Sequence, residues 1–269
     1  MNRLGKLFAR DRKALVAYIC VGDPSVEETA ELARVCVRAG ADAVELGVPF
    51  SDPTADGPAI ARASQRAIAN GGGLAAALRV ARGFRAAEPD AGLVLFGYYN
   101  PLFVRDEKRA VREAAEAGVD ALLVVDLPAQ ESGPLRLAAS ACGLGIIPLL
   151  APTSSTDRIA TTARFCADGS TPFVYYVSVT GVTGSTALDA SEAGARAGQL
   201  QKQLGRPVVV GFGIDSRQKA REAGAEAAGV VVGTALVSAI ERGQSKEARR
   251  NNVSQLVEEL RAGLDELEV

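Results

Sequence analysis

Eight short, almost wholly apolar runs alternate with amphipathic segments along the 269 residues, and this predicts an α/β chain closed into a single (β/α)8 barrel of the TIM type. Three observations carry that prediction. The runs have strand length and are rich in β-branched residues, as parallel strands covered on both faces require. The segments between them repeat apolar residues at helical spacing. The chain is also close to the ~250 residues such a barrel takes.

The strands are predicted at 14–20 (ALVAYIC), 42–49 (DAVELGVP), 92–99 (GLVLFGYY) and 121–128 (ALLVVDLP), then at 144–152 (LGIIPLLAP), 173–179 (FVYYVSV), 207–214 (PVVVGFGI) and 228–236 (AGVVVGTAL). Among the helical segments, 26–38 places Leu32, Val35 and Cys36 on one face, and 106–117 and 157–165 each open with an aspartate suited to a helix N-terminus. Ala-Gly-x-(Asp or Glu)-Ala occurs at 39–43, 117–121 and 223–227, each time between a helical stretch and a strand. Its glycine is expected in the left-handed conformation that closes a helix. Two extra elements complete the pattern: a short N-terminal helix whose Leu4, Leu7 and Phe8 plug the barrel floor, and a long C-terminal helix carrying Val253, Leu256, Val257, Leu260, Leu264 and Leu267. Gly71–Gly73 reads as a turn that ends a helix. No Pro/Gly/Ser-rich linker divides the chain, so 1–269 is expected to form one domain.

An open doubly wound sheet is the competing architecture. It predicts a glycine fingerprint after the first strand, but no GxGxxG stands there and no GxxxxGK(S/T) occurs anywhere. The glycines gather instead after the late strands.

Composition removes several function classes. Thirty basic residues face 32 acidic ones, so no global field draws in nucleic acid or an anionic membrane. No apolar run has the ~20 residues of a membrane span, and the first residues lack the apolar stretch of a signal peptide, which sets the expectation of a cytoplasmic protein. The widely spaced Cys20, Cys36, Cys142 and Cys166 read as buried thiols. There is no histidine, which excludes Ser-His and Cys-His nucleophiles and His-ligated metals; no metal site is expected. Acid–base chemistry falls to Asp, Glu, Tyr, Cys or Lys. All six lysines lie in helical or terminal segments, which disfavours a Schiff base at a strand end.

In such barrels the chemistry sits at the C-terminal ends of the strands, with phosphate commonly bound after the last two. Glycines cluster there: Gly181-Val182-Thr183-Gly184, Gly211-Phe212-Gly213 and Gly233-Thr234-Ala235. Each is an ordinary tight turn by itself; together, at adjacent strand ends, they point to backbone N–H groups converging on an anion. Glu45 interrupts the apolar second strand and is either a structural carboxylate with a partner or a group whose pKa burial has raised. Asp56 lies in the following loop. Tyr98, Tyr175 and Asp126 sit near strand ends, where packing and capping are the plain alternatives.

The stretch VELGVPFSDPTADGP (44–58) closely resembles the signature of the tryptophan synthase α-subunit family, and the likeness continues through YICVGDP (18–24), FGYYNPL (96–102), VVDLP (124–128), YYVSVTGVTG (175–184), VVVGFGI (208–214) and VVVGTA (230–235). The resemblance implies a carbon–carbon lyase of tryptophan biosynthesis that cleaves indole-3-glycerol phosphate into indole and glyceraldehyde 3-phosphate. It implies a β-subunit partner in an α2β2 heterotetramer, with pyridoxal phosphate held by that partner and no cofactor here. By motif position it implies Glu45 and Asp56 as catalytic carboxylates, Gly184, Gly213, Gly233 and Thr234 around the phosphate, and Tyr18, Tyr98, Tyr175 and Phe212 around the indole. Three positions depart from the family pattern: Thr54 replaces a usual leucine, Thr234 a common serine, and Ala228 a frequent aspartate before the last strand.

Overall fold

The computed structural model of the chain describes residues 3–177, 189–211 and 213–267. Nine strands appear among these residues: β1 (Ala14–Cys20), β2 (Ala43–Gly47), β3 (Gly92–Gly97), β4 (Ala121–Val124), β5 (Gly145–Ile146), β6 (Leu149–Leu150), β7 (Val174–Val177), β8 (Val208–Gly211) and β9 (Gly229–Val232). The helices that follow them are α1 (Arg3–Leu7), α2 (Val26–Arg38), α3 (Pro58–Ala69), α4 (Leu74–Ala87), α5 (Tyr99–Val104) and α6 (Glu107–Glu116), then α7 (Gly133–Ala141), α8 (Thr156–Cys166), α9 (Ala190–Leu204), α10 (Arg217–Gly224), α11 (Thr234–Arg242) and α12 (Lys246–Asp265). Several apolar runs outlast their strands. The third passes into α5 at Tyr99 and the eighth into α11 at Thr234, because the first turn of the next helix is also packed on the core.

All pairings are parallel, in the order β5-β4-β3-β2-β1-β9-β8-β7-β6. The predicted fifth strand is split into β5 and β6 at Ile147-Pro148, since proline has no N–H to give a ladder. The ring still closes through that dipeptide. Ile147 N–H donates to the Leu122 carbonyl at 3.0 Å and Tyr175 N–H to the Pro148 carbonyl at 3.0 Å.

Alternation along each strand sorts side chains into two sets. Leu15, Ala17, Ile19, Val44, Leu46, Leu93 and Leu95 face the helices. Ala14, Val16, Ala43, Val94, Leu123, Phe173, Tyr175, Val209 and Val231 fill the barrel interior, where Leu4 and Leu7 of α1 join them as the floor. Gly92 makes room for that plug: a Cβ there would lie 2.5 Å from Leu4 Cδ2.

The repeated Ala-Gly-x-acid-Ala turns divide. Gly40 (φ +114°) and Gly118 (φ +84°) have the expected positive φ. Gly224 does not: it is the last residue of α10, and glycine is needed there because a Cβ would meet Leu264 Cδ2 at 2.5 Å as α12 packs across it. The acids of the first two copies are buried and bonded to the neighbouring strand. Asp42 accepts from Leu15 N–H at 2.9 Å, and Asp120 from Leu93 N–H at 2.9 Å. Arg85 and Arg3 complete Asp120 at 2.8 and 3.0 Å, and Arg261 of α12 reaches Asp42 at 3.3 Å and the Lys13 carbonyl at 2.8 Å. These paired charges tie α1, α4 and α12 to the barrel floor. Removing one partner of such a buried pair costs roughly 3–5 kcal/mol.

Candidate active site

Following the interior set upward from Val16, Ala43 and Val94 leads to Tyr18, Glu45 and Phe96 at the C-terminal ends of β1, β2 and β3. Glu45 stands between Tyr18 and Val94 in register and is fully buried. Neither of its carboxylate oxygens has a hydrogen-bond partner among the described residues. A carboxylate kept for structure is ordinarily bonded, and Glu45 shows no such bond among the described residues. Burial alone pushes the Glu45 carboxyl up to about 8. It is neutral at pH 7 and holds a transferable proton.

Two tyrosines flank it, and each lies over a glycine. A Cβ on Gly47 would fall 2.3 Å from the Tyr18 hydroxyl, and one on Gly211 would fall 2.3 Å from that of Tyr175. The geometry repeats: Tyr18 pairs with Glu45 and covers Gly47 two residues on, while Tyr175 pairs with Val209 and covers Gly211 two residues on. Burial raises both phenols well above their ordinary value, with the Glu45 charge adding to the effect, so both remain O–H donors. The sequence does not single out Gly47, and it places Gly211 in a glycine cluster that points to an anion rather than beneath a tyrosine ring. Their role depends on strand register, which spacing along the chain does not reveal.

Asp56 arrives on the loop after β2, and α3 begins two residues later with Pro58 at its first position, its fixed φ suited to a helix start. Ala63 and Ala67 of α3 and Val237 of α11 pack on Tyr18 and Cys20, so α3 covers the mouth of the barrel on the β1 side. Asp56 is partly buried, which raises its carboxyl to about 6 against a hydrogen bond from Tyr98 that lowers it. Tyr98 is 4% exposed, stacks on Phe50 with ring centroids 5.0 Å apart, and accepts the Ala55 N–H at 3.0 Å. Next to it, Asp126 accepts Tyr99 N–H at 2.7 Å, the capping role that was its plain alternative.

The glycine-rich ends of β8 and β9 meet beside this site. Gly213 has φ +49° and is exposed; Gly233 is the N-cap of α11, and Thr234 is that helix's first residue, also exposed. The first N–H groups of α11 have no partner within the helix, so this end favours an anion. Gly184 and Phe212 lie outside the described residues. The described residues contain no group of three or more Asp, Glu, Cys or His placed to hold a metal, and no helix among them is long and apolar enough to cross a membrane.

Comparison with known proteins settles the family. A family model described as tryptophan synthase alpha chain matches residues 4–265. The chain belongs to that family. A tryptophan synthase alpha chain from Azoarcus is 45% identical over 262 residues, covering 97% of this chain and 95% of the relative, and one from Geobacter is 47% identical over 246 residues, covering 91% and 90%. Among solved structures, tryptophan synthase subunit alpha from Legionella pneumophila superposes with a TM-score of 0.89 at 34% identity over 99% of both chains. A tryptophan synthase from M. tuberculosis in an aminoacrylate-bound form gives 0.84 at 32% identity, covering 98% of this chain and 100% of the other. The family's alpha reaction cleaves indole-3-glycerol phosphate to indole and glyceraldehyde 3-phosphate, so the chain is a carbon–carbon lyase.

Proposed function

We propose that Glu45 and Asp56 perform this cleavage as an acid–base pair. The observation that carries the reading is the buried, unpartnered carboxyl of Glu45, with its proton held up to about 8. Glu45 in its neutral form delivers a proton to indole C3, which turns the ring into an electron sink. The resulting carboxylate then takes the proton of the glycerol hydroxyl as the carbon–carbon bond breaks. Asp56, ionised above about 6, accepts the indole N–H and stabilises the positive charge that develops on the ring. Tyr18, Tyr98 and Tyr175, with Phe212, bound the indole. Gly213, Gly233 and Thr234, with Gly184, receive the phosphate through backbone N–H groups and one hydroxyl.

The chain's own groups suffice for this proton traffic, so we assign it no cofactor and place pyridoxal phosphate in the β-subunit of a cytoplasmic α2β2 assembly. Support for a partner close to the site comes from α5, where Phe103 and Val104 are 63% and 76% exposed only a few residues beyond Tyr98. Indole release measured across a β-subunit titration tests that assignment, with activation expected.

The deciding experiment for the chemistry is Glu45→Gln. Turnover should fall by ~10²–10⁴-fold or more while affinity for glycerol 3-phosphate stays near that of the unaltered chain. Undiminished turnover would assign the proton to another group.

A further inference from the structure

We propose that Arg66 is the positioning residue that sets Asp56 over the indole, by clamping α3 between the turn after β1 and the last turn of α11. The inference rests on the role given above to Asp56 and concerns how that carboxyl is held.

Asp56 joins α3 through Gly57, the helix N-cap, which makes no side-chain hydrogen bond to the helix. Along its length α3 has little to grip with. Its buried residues are Ala63, Ser64 and Ala67, and the two alanines lie on Tyr18 and Cys20 of β1. A face of small side chains raises no ridges that would stop the helix from sliding or turning.

Arg66, in the last turn of α3, supplies the missing restraint. Its guanidinium meets Asp23 as a fork, with Nε donating to Oδ1 at 2.9 Å and Nη2 to Oδ2 at 2.7 Å. Asp23 is 3% exposed and belongs to the turn after β1, where its own N–H donates to the Cys20 carbonyl at 3.2 Å. Two parallel bonds fix orientation as well as distance. The remaining nitrogen, Nη1, donates to Glu241 Oε1 at 2.7 Å, in the last turn of α11. Arg62, one turn earlier on α3, reaches the other oxygen of Glu241 at 3.4 Å.

One side chain thus joins three parts of the site. Asp23 follows the strand that carries Tyr18, α3 follows Asp56, and α11 begins at Gly233 and Thr234, on the side assigned to the phosphate. The stretch of α3 from Pro58 to Arg66 is ~12 Å long and acts as a lever. A tilt of about 5° at Arg66 displaces the start of α3 by ~1 Å, and a misplacement of that size can cost ~10²-fold in rate. On its other side Asp56 is held by the bond from Ala55 N–H to the Tyr98 hydroxyl, so the carboxyl is suspended between two attachments.

Two variants of the full chain test this. Arg66→Lys keeps a charge beside Asp23 but gives up the fork, and Arg66→Met/Asp23→Asn removes both charges so that neither is left buried alone. In each, kcat for indole release should fall about tenfold or more, least in Arg66→Lys, while KM and the calorimetric affinity for glycerol 3-phosphate stay within about twofold. Hydrogen exchange should quicken at the Ala55 and Asp56 amides, with the amides of β1 and β2 keeping their protection. Exchange that quickens across the barrel strands as well would make Arg66 a prop of the whole fold and overturn the inference. Undiminished kcat in both variants would overturn it whatever the amides show. Asp56→Asn is the separate arm: a loss of turnover there, with none in the Arg66 variants, rejects the clamp and leaves Asp56 in its role. Full turnover in Asp56→Asn removes Asp56 from the chemistry, and the inference falls with it.

Discussion

The Tyr98 hydroxyl accepts the Ala55 N–H at 3.0 Å, which fastens the end of β3 to the residue preceding Asp56. With that N–H on its lone pair, the hydroxyl keeps its own proton for the Asp56 carboxylate, and the bond lowers Asp56 against burial. Tyr98→Phe removes both interactions. The fold should lose roughly 0.5–1.5 kcal/mol in urea unfolding. Asp56 should titrate above its present value of about 6, moving the acid side of the rate profile upward. An unmoved profile would separate Tyr98 from Asp56.

Indole release should depend on pH as a bell. Asp56 must be ionised and Glu45 protonated, which places the limbs near 6 and 8. The two values belong to the pair as it titrates within one site. Measuring kcat/KM from pH 5 to 9 checks this, and Glu45→Asp should displace the alkaline limb while leaving the acid limb in place.

Stability should carry the mark of Glu45 as well. Its carboxyl lies near 4.5 when unfolded and about 8 when folded, so the folded state binds more protons between those values. Stability from this group is full below 4.5 and declines as pH rises toward about 8. At about 1.4 kcal/mol per pH unit the loss reaches on the order of 5 kcal/mol, an upper bound that local water entry would reduce. Glu45→Gln should abolish that slope. Urea unfolding of both chains at pH 5 and pH 8 should show the variant gaining relative stability at the higher pH.

Gly233 separates binding from folding. A Cβ there would lie 3.7 Å from Tyr18 Cβ, an ordinary contact, and its φ of −120° is not in the left-handed region. Gly233→Ala should therefore unfold within about 1 kcal/mol of the parent, while the added methyl, set at the N-terminus of α11, weakens glycerol 3-phosphate several-fold. Gly213→Ala differs, because φ +49° adds roughly 1–2 kcal/mol of backbone strain. Calorimetry and unfolding together resolve the two.

Much of this arrangement was legible along the chain because it rests on local signals. Apolar runs located the strands, the Leu4/Leu7 plug followed from composition and position, and Glu45 stood out as an acid where only apolar residues belong. What stayed hidden depends on neighbours distant in sequence. The Tyr18/Gly47 and Tyr175/Gly211 pairs require the register, the Ala55–Tyr98 bond requires a loop fold, and the helical state of Gly224 requires α12 lying across it. The break at Pro148 was visible as a residue, yet its effect on pairing follows only from which strand lies on each side.

That break gives the barrel a clasp. The half ending at β5 and the half beginning at β6 touch along the β1–β9 ladder on one side, and on the other they meet through Ile147-Pro148 and through Arg136 of α7, which pairs with Asp168 and lies 4.2 Å over the Phe165 ring of α8. A nick at this dipeptide would leave two fragments, each with its own run of consecutive parallel strands, able to reassociate along an edge that was never cut. The cylinder is in this sense two open fans that meet at a ladder on one side and within a single broken strand on the other.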